Sequence, residues 1–418
     1  MANETQLAHS NMATITRVKA ENFLSFRKLD LSLNSLNVLV GPNGAGKTNL
    51  LKIFEFLGNV ARTELAPAIQ SLGGFDHVLF RGSGRTGSQV KLELNGIVTQ
   101  YANDVALDVY RLNFSRVGKL AARSSRAITH EAFRRTEELV FKRYRGRGRR
   151  ITLTGGRVTV ATNDEDTNQD SRELEIGSDA TGLGTLRRLS DTYGSPQWNA
   201  FAEVVEQTRL FEIDVPSIKR PSLGQTDEDF LYSDASNLAD FLLKLRKTHP
   251  AVFSLICDDV KFVYPSFSGF EFVQIGGGES ALRLDVRETY LSGATPLARA
   301  SFGTIRAIAL FAMLHDPNPP KLTALEEIDH GLHPHALDRI VDRLRQASAH
   351  TQVILATHSP ALVNRLNPAE LIIVEREDST GATKVFRPNR TLINRLKQET
   401  GYELGELWFS GALGGSLA

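Results

Sequence analysis

Apolar and polar positions alternate over residues 14–40, in Ile15-Thr16-Arg17-Val18-Lys19-Ala20, Phe23-Leu24-Ser25-Phe26 and Leu29-Asp30-Leu31-Ser32-Leu33. A period of two predicts a β-meander, or in the plainer reading an edge sheet. The run Leu36-Asn37-Val38-Leu39-Val40 predicts a buried strand, and residues 48–60 a helix. Glycines then cluster at Gly73-Gly74 and Gly82-Ser83-Gly84, with strands predicted over 89–94 and 106–113. Residues 151–161 alternate around Gly155-Gly156, a hairpin signal. Helical spacing returns at 198–209 and 237–256, and alternation at 261–290, beginning with Lys261-Phe262-Val263-Tyr264. An apolar helix is predicted over 305–314, a strand over 322–327, a helix over 334–346 and a strand over 352–357. Strands at 370–375 and 383–387 precede a last helix near 392–399. Strands and helices thus alternate as in an α/β protein, with no internal repeat and no sustained heptads.

The junction of the buried strand and the first helix carries Gly41-Pro42-Asn43-Gly44-Ala45-Gly46-Lys47-Thr48, which fits G-x-x-x-x-G-K-[ST]. Glycines let consecutive N–H groups turn toward a β-phosphate, and the N-terminus of the next helix adds positive potential. Gly41, Asn43, Gly44, Ala45, Gly46, Lys47, Thr48 and Asn49 are the candidate ATP contacts. Lys47 would reach the β- and γ-phosphates and Thr48 would ligate Mg²⁺. The plain alternative is a glycine-rich turn before an ordinary helix.

An ATPase also needs carboxylates at a strand end beside that loop. Leu322-Thr323-Ala324-Leu325-Glu326-Glu327 places two acids after a short apolar run. Glu326 is the candidate Mg²⁺ ligand and Glu327 the candidate general base. His358 ends the apolar run Val353–Thr357 and could donate to a γ-phosphate or hold the attacking water. Solvated acids and a satisfied structural histidine are the alternatives.

The formal net charge is only +1, yet residues 111–150 hold thirteen Lys/Arg against three Glu, so 13 − 3 gives +10 there. Lys142, Arg143, Arg145, Arg147, Arg149 and Arg150 form its densest part. It either tracks a nucleic-acid backbone or is a solvated hairpin tip facing the acidic loop of Asp164, Glu165, Asp166 and Asp170. The single cysteine, Cys257, excludes an internal disulfide and reads as a core thiol. No signal-peptide order and no long apolar run is present, which predicts a cytoplasmic protein without a membrane partner.

Phosphate loop, acidic pair, Gly331-Leu332-His333-Pro334 and Thr357-His358-Ser359-Pro360, in this order, resemble the ABC-class ATPases of the RecF/SMC type. The chain is more closely similar to a short bacterial "predicted ATPase" group, whose Glu-Glu-Pro-Glu-x-x-Leu-His-Pro stands here as Glu326 to Pro334. The tail Leu404-Gly405-Glu406-Leu407-Trp408-Phe409-Ser410-Gly411 also resembles that group's ending. The likeness covers residues 14–60 and about 236–415, and covers 100–235 poorly. It implies an ABC-type P-loop head with a mixed sheet, formed by 14–100 and 290–418. Residues 101–289 would be an inserted α/β lobe with the basic hairpin, and 1–13 a disordered tail. It further implies a signature loop that meets a partner's ATP. Ser301-Phe302-Gly303-Thr304 is assigned to it, with Ser301 and Gly303 as the contacts, rather than Leu291-Ser292-Gly293, which no apolar helix follows directly.

The implied function is a Mg²⁺-dependent switch that forms a homodimer around ATP. It would act in DNA-related processes, as in phage defence beside a separate nuclease or effector. The alternative is a slow, nucleotide-dependent scaffold that holds a partner protein and binds no nucleic acid. Departures from the pattern are Ile328 for a proline, His333 where an Asp is common, Leu24 for an arginine, and no placeable Q-loop glutamine. They imply slow hydrolysis. His330, His333 and His335 also raise a metal reading, without an acid or cysteine framework around them.

Overall fold

A computed structural model describes residues 13–83, 87–117, 132–141, 148–162, 172–177, 180–189, 191–223, 229–276 and 281–414. Residues 1–12 of the expected 1–13 tail, Lys142, Arg143, Arg145, Arg147 and the acidic loop lie outside these residues. The chain opens with strands β1 (Thr14–Phe23), β2 (Phe26–Ser32) and β3 (Leu36–Val40), then helix α1 (Lys47–Thr63). It divides into two compact units. One comprises residues 1–35, 42–208 and 373–386; the other comprises 36–41, 209–372 and 387–418.

The first unit is built on an antiparallel sheet. After α1 come β4 (Gln89–Ile97), β5 (Asp108–Arg116), β6 (Phe133–Phe141), β7 (Arg149–Thr154), β8 (Arg157–Thr162) and β9 (Arg172–Glu175). The spatial order is β2-β1-β4-β5-β6-β7-β8-β9. Alternation decides which face is buried: in β4, Val90, Leu92 and Leu94 point inward and Gln89 and Lys91 outward. On the inner face Phe56 of α1 stacks on Phe114 and tilts against Phe23, and Tyr110 stands edge-on to Trp198. The other face carries a ladder of cross-strand ion pairs, Lys19–Glu93, Arg111–Glu93, Arg111–Glu138 and Arg150–Glu138. Burial would push the Glu93 carboxyl up, but bonds from Lys19 and Arg111 outweigh it and hold it below its ordinary value. The hairpin expected at 151–161 is β7–β8, with Leu153 opposite Val158 and Thr154 opposite Arg157.

β6 is absent from the sequence reading for a physical reason. Its inward positions include Arg135 and Glu137, both buried, so the apolar alternation is interrupted by charge. Glu137 accepts from the Tyr110 hydroxyl at 2.8 Å and from the Gly182 and Leu183 N–H groups. Burial nevertheless pushes its carboxyl up.

The second unit centres on parallel strands. Leu322–Glu326 pairs with Gln352–Thr357, and Gln352–Thr357 pairs with β3. All five β3 residues are buried, which is why the run is not alternating. The helix Phe302–Leu314 buries nine of its residues, Ile305 through Met313. Two readings are corrected here. The helix expected over 237–256 is two helices, Leu238–Thr248 and Pro250–Val263, because Pro250 supplies no N–H and disfavours helical geometry at His249. Lys261–Val263 belongs to the second of these, so the alternation over 261–264 is no strand; the antiparallel pair begins at Phe267. That helix also buries Asp259, ringed by His315, Arg339 and Arg343. Burial opposes its ionisation, but the three donors outweigh it and hold the carboxyl far below the usual range.

Cys257 is half-buried, and burial with Asp258 nearby raises its thiol to about 11, the wrong direction for a nucleophile. Among the described residues no helix is long and apolar enough to cross a membrane.

Candidate functional site

In the first unit the candidate phosphate loop turns through two glycines. Gly44 and Gly46 have φ of 78° and 107°, the left-handed region that side chains resist. The Ala45 N–H turns back to Pro42 O at 3.2 Å. Lys47, the first residue of α1, is buried and donates to Pro42 O at 3.1 Å. Thr48 is half-buried beside it, Asn43 is exposed, and Asn49 donates to Ser25 Oγ at 2.8 Å.

In the second unit three strand ends lie along one sheet edge. Val40, from which Gly41 continues into the loop, is in register with Thr357, and Leu39 with Ala356. Glu326 is in register with the same Ala356. The ends of β3, of the His358 strand and of the acidic strand are therefore side by side. This is the carboxyl edge at which open α/β sheets place ligands.

Glu327 leaves that edge in a strained left-handed conformation, φ 48°. Its N–H donates to Ala356 O at 2.8 Å, and its own carbonyl accepts from Arg306 Nη2 at 2.6 Å. Its side chain, half-exposed, lies 3.3 Å from His358 Nδ1. Glu326 has a buried Oε1 that no donor among the described residues reaches, an acceptor suited to a metal ion. Asp329 Oδ1 takes the Thr357 hydroxyl at 2.7 Å. Glu326, Glu327 and Arg306 line a cavity of about 360 Å³ together with Glu212, Ile213 and Asp214.

Arg306 was not singled out by sequence. Its signal is a lone arginine inside the apolar run Phe302–Leu314. It is buried, its Nε has no partner among the described residues, and burial lowers its pKa against the pull of Asp329 and Glu327.

Ser301 caps the same helix, its Oγ accepting from Thr304 N at 3.1 Å, and is exposed. Gly303 approaches the turn that follows the acids: a Cβ there would come within 2.3 Å of Gly331 O. The loop assigned by resemblance is thus packed on the acidic turn. The three histidines of the metal reading go to separate partners. His330 meets Phe302 edge-on, His335 stacks on Phe262, and His333 Nδ1 accepts from the His335 N–H. Of the basic stretch, Arg149 and Arg150 are described, both exposed at the start of β7, with Arg150 paired to Glu138. Leu24 sits in the β1–β2 turn with φ 50°, and Ile328 is buried.

Many solved structures are similar to the chain, among them the following three. A Smc head bound to the C-winged helix domain of ScpA is 16% identical, covering 89% of this chain and 96% of that one, with TM-score 0.48. A Smc head with an extended coiled coil bound to the C-terminal domain of ScpA, derived from Pyrococcus furiosus, gives 13%, 94%, 100% and 0.45. An SMC head domain from Thermotoga maritima gives 14%, 90%, 99% and 0.41. No curated protein matches the sequence. The family described as "AAA domain, putative AbiEii toxin, Type IV TA system" matches residues 36–100 and 217–364, just over half of the chain and inclusive of both the phosphate loop and the acidic pair. With that span matched and the two motifs in place, the chain belongs to this family of AAA-domain ATPases.

Proposed function

We propose that the chain is a Mg²⁺-dependent ATP-binding and hydrolysing switch whose heads pair around ATP. The observation that carries this reading is the shared sheet edge of β3, the His358 strand and the acidic strand. Thr48 and Glu326 would hold Mg²⁺, which together with Lys47 would supply positive charge against the phosphates. Glu327 draws the proton from the attacking water, and His358 steadies that water or the γ-phosphate. The Gly41–Asn49 loop cradles the β-phosphate through its N–H groups.

Ser301 and Gly303 would contact the nucleotide of a second copy, and this is the direct test of the switch. Ser301→Arg should leave ATP affinity within about twofold, because Ser301 is exposed and outside the phosphate loop. ATP-induced dimerisation and turnover should be lost, since bulk and charge enter the interface. Sedimentation that still shows an ATP-dependent dimer would mean that another loop meets the partner.

Action on DNA belongs to the same proposal, through Lys142, Arg143, Arg145, Arg147, Arg149 and Arg150. One observation favours the protein-scaffold reading: Arg150 is already paired with Glu138 in the sheet's ion-pair ladder. The family's toxin–antitoxin description also supports work beside a partner protein; a place in phage defence with a separate effector belongs to the proposal. Replacing Arg145, Arg147, Arg149 and Arg150 by alanine should flatten the salt dependence of duplex binding by roughly 0.9 per lost phosphate contact. A parental protein that binds no DNA at low salt, with or without ATP, decides for the scaffold.

A further inference from the structure

In the first unit, the outer side of the phosphate loop is held by the end of the hairpin over residues 373–386, outside the region that the family match covers. In this hairpin Arg376 lies opposite Thr383. Thr383 is buried, and its Oγ1 lies 2.7 Å from both Ala45 O and Ser25 Oγ. One hydroxyl has one proton and a carbonyl only accepts, so Thr383 donates to Ala45 and the Ser25 hydroxyl supplies the other bond. Ser25 in turn accepts from Asn49. Arg376 donates from Nη1 to Gly44 O and from Nε to Gly381 O, each at 3.1 Å. Two consecutive loop carbonyls, Gly44 and Ala45, are therefore fixed by two side chains of one hairpin.

A planar trans peptide points its N–H opposite to its C=O. Holding the Ala45 carbonyl on Thr383 thus turns the Gly46 N–H away from the hairpin, while holding Gly44 fixes the peptide whose Ala45 N–H closes the loop onto Pro42 O. Room for this contact exists only because residue 46 lacks a side chain: a Cβ there would come 2.2 Å from Thr383 Oγ1 and 2.8 Å from Ser25 Oγ.

We propose that this hairpin is a clamp that presets the phosphate loop, with Thr383 and Arg376 as positioning residues for nucleotide binding. The clamp rests on the reading of residues 41–48 as an ATP site. It acts on the peptides that embrace the β-phosphate, so it favours ATP and ADP alike and has no part in cleaving the γ-phosphate.

The test is titration calorimetry of Thr383→Val, Thr383→Ser and Arg376→Ala with ATP and with ADP, beside thermal melting without nucleotide. Thr383→Val keeps the shape but strands a buried carbonyl, a loss of about 1–3 kcal/mol that corresponds to roughly fivefold to a hundredfold weaker binding. ATP and ADP affinities should fall by the same factor, and Thr383→Ser should recover the parental value within about twofold. Arg376 is exposed, so its alanine variant should melt like the parent and bind both nucleotides about threefold more weakly. Parental affinity in both Thr383→Val and Arg376→Ala overturns the clamp. So does a loss confined to ATP. If Thr383→Val does not fold, Arg376→Ala decides alone, and unchanged binding overturns the proposal. A parental protein that binds neither nucleotide overturns the ATP reading and the clamp with it.

Discussion

Lys47→Ala should abolish tight ATP binding in calorimetry. Lys47 is the phosphate loop's own cation, and its ammonium group rests on the Pro42 carbonyl at 3.1 Å, within the loop it would serve. Triphosphate charge held by backbone N–H dipoles alone lacks its counter-charge. Truncating one partner of a buried, hydrogen-bonded charge pair costs about 2–5 kcal/mol, a rise in Kd of roughly thirtyfold to several thousandfold. The fold should survive, because position 47 opens α1 and alanine is the best helix former. A variant that melts like the parent and still binds ATP tightly would remove the nucleotide from this loop.

Glu327→Gln should bind ATP normally and turn it over about a hundredfold to ten-thousandfold more slowly. The backbone that carries this side chain is fixed by three contacts, with Ala356, Arg306 and His330. Glutamine has the same shape, so it keeps the geometry and the His358 contact but cannot take a proton. The ATP state then accumulates, and the variant should elute as an ATP-dependent dimer that ADP does not produce. Hydrolysis at the parental rate would place the base elsewhere. Asp329 would be examined first, although its Oδ1 already holds the Thr357 hydroxyl.

The parts of the site that could be read from the sequence are those whose chemistry is local. A phosphate loop needs its glycines, lysine and threonine within eight consecutive positions, and polar residues that end apolar runs announce a strand's carboxyl end. Glu326, Glu327 and His358 become candidates in that way. Arg306 was not, because its partner is a backbone carbonyl, and carbonyls carry no sequence signature. Thr383 and Ser25 are 358 residues apart, and nothing about either one alone suggests the other. β6 stayed hidden for a different reason, since the buried Arg135 and Glu137 break the apolar alternation on which recognition of a strand depends. At His249 the opposite error occurred: apolar spacing continues across a proline that ends one helix and opens the next.

The position of β3 sets a timetable for synthesis. Its five buried residues are made well before the strand beside it, which begins at Gln352, and Asn37 bonds to Val353 across 316 positions. At translation speeds of about 5–20 residues per second, roughly 15 to 60 seconds separate the two. Throughout that interval Leu36-Asn37-Val38-Leu39-Val40 is an apolar strand without a neighbour on that side, the kind of segment that chaperones hold and aggregates recruit. The buried strand that leads into the phosphate loop thus waits for a partner made 316 positions after it.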